Sequence, residues 1–295
     1  MQKTKVNQKH KDRLFLRLFQ EKQTLLSLYN AVNRSNYSDP DLLEITTLEN
    51  VLYIGIKNDV SFLIDNCMNL YEAQSSWNPN MPLRGLFYFS RLYSSYVESR
   101  HLDIYSRTQL SLPEPRYIVF YNGTDMKTEQ ITLSLSSSFQ KRNNQEQAPC
   151  LECIATIVNI NYGHNQELLN SCQALFEYSY LIQKIRDFLS HGMIPEAAVD
   201  SAVEDCIQNN ILADFLIKHR EEAKFMILSE YNEELHLKTL YEDGLMEGKL
   251  EGKTEAQNNI SALLRQLFQA NRMDDVKKAA EDPAYLELLL QEFHL

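Results

Sequence analysis

The hydrophobic positions in the first part of the chain follow two different spacings. Apolar residues at helical spacing predict an amphipathic helix over Asp12–Val32, and Met81–Tyr96 repeats that spacing with a proline in its first turn. Short apolar runs bounded by turn-forming residues predict strands. They are Val51–Ile56, Val60–Ile64, Met68–Gln74, Tyr117–Tyr121 and Leu151–Ile160. Strands interleaved with helices predict an α/β fold, with a mixed central sheet flanked by helices.

The pattern becomes helical throughout from His164 onward. Ser190-His191-Gly192 and the following Pro195 interrupt it. We therefore expect an α/β domain over residues 1–192 and an all-α C-terminal region over residues 193–295. Within that region three glycines recur every fourth residue, which places them on one helix face. Their spacing indicates either a close approach of another helix or a flexible joint, and the joint is the preferred interpretation.

The composition is that of a globular protein, and its acidity is concentrated in one segment. The 295 residues are 44% apolar and 23% charged, with a formal net charge of −11. Residues 195–256 hold 15 acidic and 6 basic side chains, whereas residues 1–194 carry equal numbers of each. The net charge therefore does not exclude a nucleic-acid partner for the first domain.

Other features limit the location and the chemistry. No apolar run approaches the about 18 residues of a membrane-spanning helix, and the N-terminus lacks the apolar segment of a signal peptide. Five cysteines are few for this length, so we expect no disulfide scaffold and a cytoplasmic location. Because no membrane-spanning helix is predicted, we also expect no membrane partner. The Cys150-x-x-Cys153 pair has no second pair with which to form a zinc site. Phosphate-loop, Rossmann and serine-hydrolase motifs are missing from the sequence.

One stretch carries candidate chemistry. The strand predicted at Val60–Ile64 and the next one at Met68–Gln74 are joined by a tight turn, so Asp59 and Glu72 come roughly opposite each other. Gln74 lies two residues beyond Glu72 and projects to the same face. Two carboxylates are hard ligands suited to Mg²⁺ or Mn²⁺. Solvent-facing acids at strand ends are also common, and these residues alone leave both interpretations open.

An Asp followed by a turn and by Glu-x-Gln resembles the PD-(D/E)xK nuclease core in its Glu-x-Gln variant. More narrowly, the chain resembles the recombination-promoting nuclease and transposase family of bacteria. Several separated segments agree in order, and together they cover nearly the whole chain: KDRLFLRLF, NDVSFLIDN, LYEAQSS, NPNMPLRGLFYFSRLY, YIVFYNG, VNINYGHN and EGKLEGK.

The resemblance implies a restriction-endonuclease-like fold and a metal-dependent DNA endonuclease linked to recombination or DNA mobility. Asp59 and Glu72 would hold Mg²⁺ or Mn²⁺, and Gln74 would replace the usual lysine and orient a water. Arg84 is the candidate for added positive charge near the phosphate. An acid from the first helix often joins such sites, and Asp12 in the KDRLF segment is the candidate, with Glu21 and Glu44 behind it.

The sequence departs from the family at Ala73, where close members usually have histidine. Position 73 points to the opposite face from its neighbours, so the change need not abolish metal binding. A catalytically degenerate nuclease fold that binds DNA or a protein is therefore the alternative function. A third hypothesis is an interaction protein that forms a homo-oligomer through its helical C-terminal region.

Overall fold

The structure is a computed structural model that describes residues 14–46, 59–140, 149–293 and 295, with the backbone alone for residues 230–243, 247 and 251. Its strands are β1 Glu44–Ile45, β2 Asp59–Ile64, β3 Cys67–Gln74, β4 Glu114–Tyr121, β5 Gln130–Ser134 and β6 Ile154–Asn159. Its α-helices are α1 Leu14–Phe19, α2 Lys22–Asn33, α3 Met81–Ser99, α4 Gln166–Ser171, α5 Gln173–Ser190, α6 Pro195–Gln208, α7 Ala213–Lys218, α8 Arg220–Gln269, α9 Met273–Glu281 and α10 Pro283–Glu292.

The described strands form one mixed sheet in the order β1-β2-β3-β4-β6-β5. β4 runs parallel to both β3 and β6, and the remaining neighbouring strands are antiparallel. This arrangement confirms the predicted α/β class with a mixed sheet flanked by helices.

Helices cover both faces of the sheet. One face packs against α1, α2 and α5 through the larger apolar core, to which β3 contributes Tyr71 and Ala73. The other face packs against α3 through a second core that includes Leu70 of the same strand. Because side chains alternate along a strand, Glu72 lies on the α3 face and position 73 on the opposite one, as expected.

The β2–β3 hairpin forms as predicted. Asp65 and Asn66 connect the strands, and both have positive φ angles, 51° and 56°. A two-residue turn with this geometry matches the twist of the strands, and aspartate and asparagine tolerate it better than most residues. The turn fixes the register in which Asp59 is paired with Glu72.

The helix predicted over Asp12–Val32 is in fact two helices, α1 and α2, wherever the chain is described. The backbone of Glu21 is extended and separates them. Five of the six residues of α1 are buried, so it is packed on every side, whereas α2 buries one face only. A change of direction between the two helices allows α1 to be buried on all sides while α2 keeps one face exposed to solvent. The predicted strand Val51–Ile56 lies outside the described residues.

The described residues after 192 are helical, as predicted, but the compact units divide between Asn232 and Glu233. The boundary expected near Gly192 therefore falls inside the first unit. The reason is that α6 packs its buried apolar face, which includes Val199 and Val203, into the larger core. The second unit has a small core of its own around Leu263, Leu267 and Leu289.

The three regularly spaced glycines, Gly244, Gly248 and Gly252, lie within the continuous helix α8. A Cβ built on any of them meets no atom of the described residues within 4 Å. The described part of the chain therefore shows no helix in close approach at these glycines. It also contains no helix that is both long and apolar enough to cross a membrane.

Candidate active site

Two buried carboxylates face each other at the start of β2 and near the end of β3. Asp59 is paired directly with Glu72 in the antiparallel register, so both side chains lie on the face covered by α3. They are 6% and 1% exposed, respectively. The structure therefore brings together the two acids that the hairpin argument selected, and it excludes the solvent-facing alternative for both.

Gln74 and Arg84 both contact Glu72. The Gln74 amide nitrogen Nε2 donates to Glu72 Oε1 at 2.7 Å, and Arg84 Nη2 donates to the same oxygen at 2.5 Å. Arg84 reaches the sheet from the first turn of α3, whose first residue is Met81. Its Nε is buried and has no hydrogen-bond partner among the described residues. The guanidinium is therefore attached to the site mainly through the Glu72 carboxylate.

Two tyrosines complete the cluster, and sequence analysis did not select them as site residues. The Tyr88 hydroxyl donates to Asp59 Oδ2. The Tyr117 hydroxyl donates to Glu72 Oε2 at 2.6 Å. One signal was available for Tyr88, since it lies four residues after Arg84 and therefore on the same face of α3.

The electrostatics of the site favour an added positive charge. Burial, with a further contribution from the Glu72 carboxylate, raises the pKa of Asp59 to about 7, and Arg84 offsets only part of this effect. Burial and the same Glu72 carboxylate raise the pKa of Tyr117 well above its usual value, so its hydroxyl acts as a donor. Among the residues that the structure describes, Arg84 contributes a guanidinium that contacts this pair through Glu72. Two buried carboxylates repel each other when both are ionised, and a bound cation would relieve that repulsion.

The donor set fits a divalent cation of the magnesium type. Mg²⁺ prefers oxygen ligands and is commonly bound through one or two carboxylates while it keeps several waters. Asp59 and Glu72 supply such a pair. Among the described residues no group of three or more His, Cys, Asp or Glu side chains is placed to hold a metal, so these two acids would need water to complete the coordination.

The remaining candidate acids lie elsewhere or outside the described residues. Asp12 precedes the first described residue, so its place in the site stays a prediction. Glu21 is exposed in the connection between α1 and α2. Glu44 is exposed on β1 and forms an ion pair with Arg100 at 2.5 Å. Neither of these two has a described contact with the carboxylate pair.

Comparison of the chain with protein-family models, with curated proteins and with solved structures finds no match in any of the three.

Proposed function

We propose that the chain is a metal-dependent DNA endonuclease with a PD-(D/E)xK-like core, acting in DNA recombination or mobility. The observation that carries the proposal is the pair of buried, opposed carboxylates, Asp59 and Glu72, with Gln74 and Arg84 bound to one of them. The order Asp, turn, Glu-x-Gln and the mixed sheet around it support the nuclease class over other metal-dependent enzymes.

Asp59 and Glu72 would hold the Mg²⁺ or Mn²⁺ ion. Such an ion, when bound, lowers the pKa of a water ligand and offsets negative charge on a phosphoryl group. Tyr88 and Tyr117 each hold one oxygen of a carboxylate, which fixes the direction of the other lone pairs. The protein therefore supplies oriented ligands in a largely water-excluded position.

The polar side chains beside the carboxylates have separate roles. Gln74 has no charge and cannot act as a base, but its amide oxygen can accept a hydrogen bond from the attacking water while its nitrogen donates to Glu72. Arg84 keeps donors beyond the one that Glu72 engages, and its side chain is 22% exposed. A guanidinium in this position can bind the non-bridging oxygens of a scissile phosphate.

Plasmid nicking with and without Mg²⁺ tests the proposal. We expect wild-type chain to nick in Mg²⁺, and Asp59→Asn and Glu72→Gln to lose nicking because each removes an anionic ligand without changing the shape of the site. Glu44→Gln is the matched control, since Glu44 is an exposed acid of the same sheet. Equal nicking by all four proteins would show that the site is assigned wrongly.

A second candidate function is a catalytically inactive nuclease fold that binds DNA or a protein. The observation that favours it is that both oxygens of Glu72 already accept hydrogen bonds, from Gln74, Arg84 and Tyr117. A nuclease fold that no longer binds a metal would be expected to keep such an ion pair, here between Arg84 and Glu72, because it stabilises the buried carboxylate. DNA binding without cleavage in any divalent cation would favour this candidate, and metal-stimulated turnover would exclude it.

We further propose that the C-terminal unit mediates self-association. The part of helix α8 that belongs to this unit exposes Leu245, Met246 and Leu250, which are 45%, 75% and 66% accessible. Apolar side chains exposed in succession on one helix are typical of helix–helix interfaces. Light scattering of the full chain should give a mass above that of a monomer, and Leu250→Lys should lower it. A monomeric mass for the wild-type chain would contradict this proposal.

A further inference from the structure

The chain contains a single tryptophan, and it lies in the segment that carries the candidate site. Trp77 is in the loop between β3, which ends at Gln74, and α3, which begins at Met81. Its side chain is 39% exposed. The two elements joined by this loop supply Glu72 and Arg84, so any strand of nucleic acid that reaches those residues passes close to the loop.

The indole is held in place by packing beneath it. Its ring makes a T-shaped contact with Tyr121, with centroids 6.2 Å apart and planes at 86°, and Tyr121 itself is buried. Such a contact covers only part of the indole surface. Trp77 is therefore presented to solvent from a rigid support, which lowers the conformational entropy that binding would otherwise cost.

The loop itself is fixed against the end of the sheet. The backbone nitrogen of Asn122 donates to the Gln74 carbonyl at 2.9 Å. A Cβ added at Gly123 would lie 2.1 Å from the Ser75 carbonyl oxygen, so only glycine permits this close approach. The first residues after Gln74 are thus anchored to the neighbouring strand.

The distance from Trp77 to the site is short on the scale of a nucleic acid. Trp77 is the third residue after Gln74, and an extended chain of three residues spans at most about 11 Å. That is about three base steps along a strand. A base near the scissile phosphate can therefore reach the indole while its backbone contacts Arg84.

We propose that Trp77 is a stacking site for an unpaired base of the substrate strand, which makes single-stranded or frayed DNA the preferred substrate. The inference rests on the proposed nuclease function for the path of the strand. Every base has a flat π face, so stacking on an indole is tolerant of sequence, and a base must leave its duplex stack to use it.

Because Trp77 is the only tryptophan, its fluorescence reports on this contact in the unmodified chain. Short oligodeoxythymidylate is titrated into the full chain in EDTA, which removes divalent cations and so prevents metal-dependent hydrolysis during the fluorescence measurement. A blunt duplex of equal length serves as the comparison. We expect the single strand to quench the tryptophan and to bind more tightly than the duplex. Single-strand binding without quenching would overturn the proposal.

A second test measures the affinity of Trp77 variants for a labelled single-stranded oligonucleotide by fluorescence anisotropy. Trp77→Ala should weaken single-strand binding by about 5- to 150-fold, the usual cost of one lost base stack. Trp77→Phe should retain most of the affinity because it keeps an aromatic ring. Tyr105→Ala is the matched control, since Tyr105 is exposed beyond the far end of α3, a helix of 19 residues and hence about 28 Å long.

The outcomes separate this inference from the proposed function. Cleavage in Mg²⁺ together with equal affinities of wild type and Trp77→Ala would overturn the stacking site and leave the nuclease intact. Quenching and weakened Trp77→Ala binding without cleavage in any divalent cation would support the stacking site and refute the nuclease. If neither single strand nor duplex binds, both proposals fail. Circular dichroism of Trp77→Ala establishes that the variant is folded.

Discussion

The buried carboxyl group of Asp59 gives the folded protein a pH dependence that an Asp59→Asn substitution should remove. Burial and the Glu72 carboxylate raise the pKa of Asp59 from 3.8 to about 7. Between these values the folded chain holds a proton that the unfolded chain has released. The contribution of this group to the free energy of unfolding therefore falls as the pH rises from about 4 to about 7, and it stays low above that.

The size of the effect follows from the same numbers. A tenfold change in a protonation equilibrium is worth about 1.4 kcal/mol, so ionised Asp59 destabilises the fold by about 4 kcal/mol above its folded-state pKa. Asparagine has no charge and keeps an oxygen that can accept the Tyr88 hydroxyl. We expect the stability gained by Asp59→Asn to be larger at about pH 8 than at about pH 5 by about 3 kcal/mol.

Urea unfolding in EDTA at the two pH values measures this difference. Trp77 fluorescence reports on the unit Met1–Asn232, because the chain has no other tryptophan. Asp103→Asn is the control, since it makes the same substitution at an exposed aspartate of the same unit. Parallel pH profiles for wild type and Asp59→Asn would refute the reasoning, because they would show that Asp59 ionises in the fold without cost.

Three further predictions concern substitutions at Arg84, Tyr117 and Gly248. Arg84→Ala should lower the free energy of unfolding by about 3 kcal/mol in urea, because it leaves the buried Glu72 carboxylate without its guanidinium partner, and adding Glu72→Gln should relieve most of that loss. Tyr117→Phe should weaken Mn²⁺ binding by about 10-fold in a calorimetric titration, whereas Tyr93→Phe, which removes a hydroxyl bonded to a backbone carbonyl, should leave it unchanged. Gly248→Ala should stabilise the second unit by about 1 kcal/mol in thermal melts followed by circular dichroism, since no atom of the described residues lies within 4 Å of the added methyl, and a loss of stability would show a neighbour there.

The sequence was sufficient for the hairpin and for the acids that it pairs. Asp65 and Asn66 are residues that a two-residue turn favours, and the strands on either side have clear apolar content. Given that turn, the pairing of Asp59 with Glu72 follows from counting residues, and the structure has this pairing. Local information fixes these positions because all of it lies within one short segment.

The tyrosines could not be placed in the same way. Tyr88 belongs to an apolar helical pattern and Tyr117 to an apolar strand, so both are predicted as core residues. Whether their hydroxyls reach Asp59 and Glu72 depends on how α3 crosses the sheet, which no local spacing encodes. The core prediction was correct for the rings and missed the polar ends.

Helical periodicity also left the extent of the first unit undetermined. It predicts that α6 is a helix, but not that its apolar face completes the core beneath α5. The short strand β1 and the edge strand β5 were missed because neither has the continuous apolar run of a buried strand. Contacts between distant segments decide all of these features.

The central claim is that Asp59 and Glu72 together hold one divalent cation, and Mn²⁺ binding measured by electron paramagnetic resonance tests it most directly. We expect the wild-type chain to bind about one Mn²⁺ ion that Mg²⁺ displaces. Asp59→Asn and Glu72→Gln should each abolish that binding, whereas Glu44→Gln should not change it. Unchanged Mn²⁺ binding in the first two variants, or none in the wild-type chain, would contradict the account.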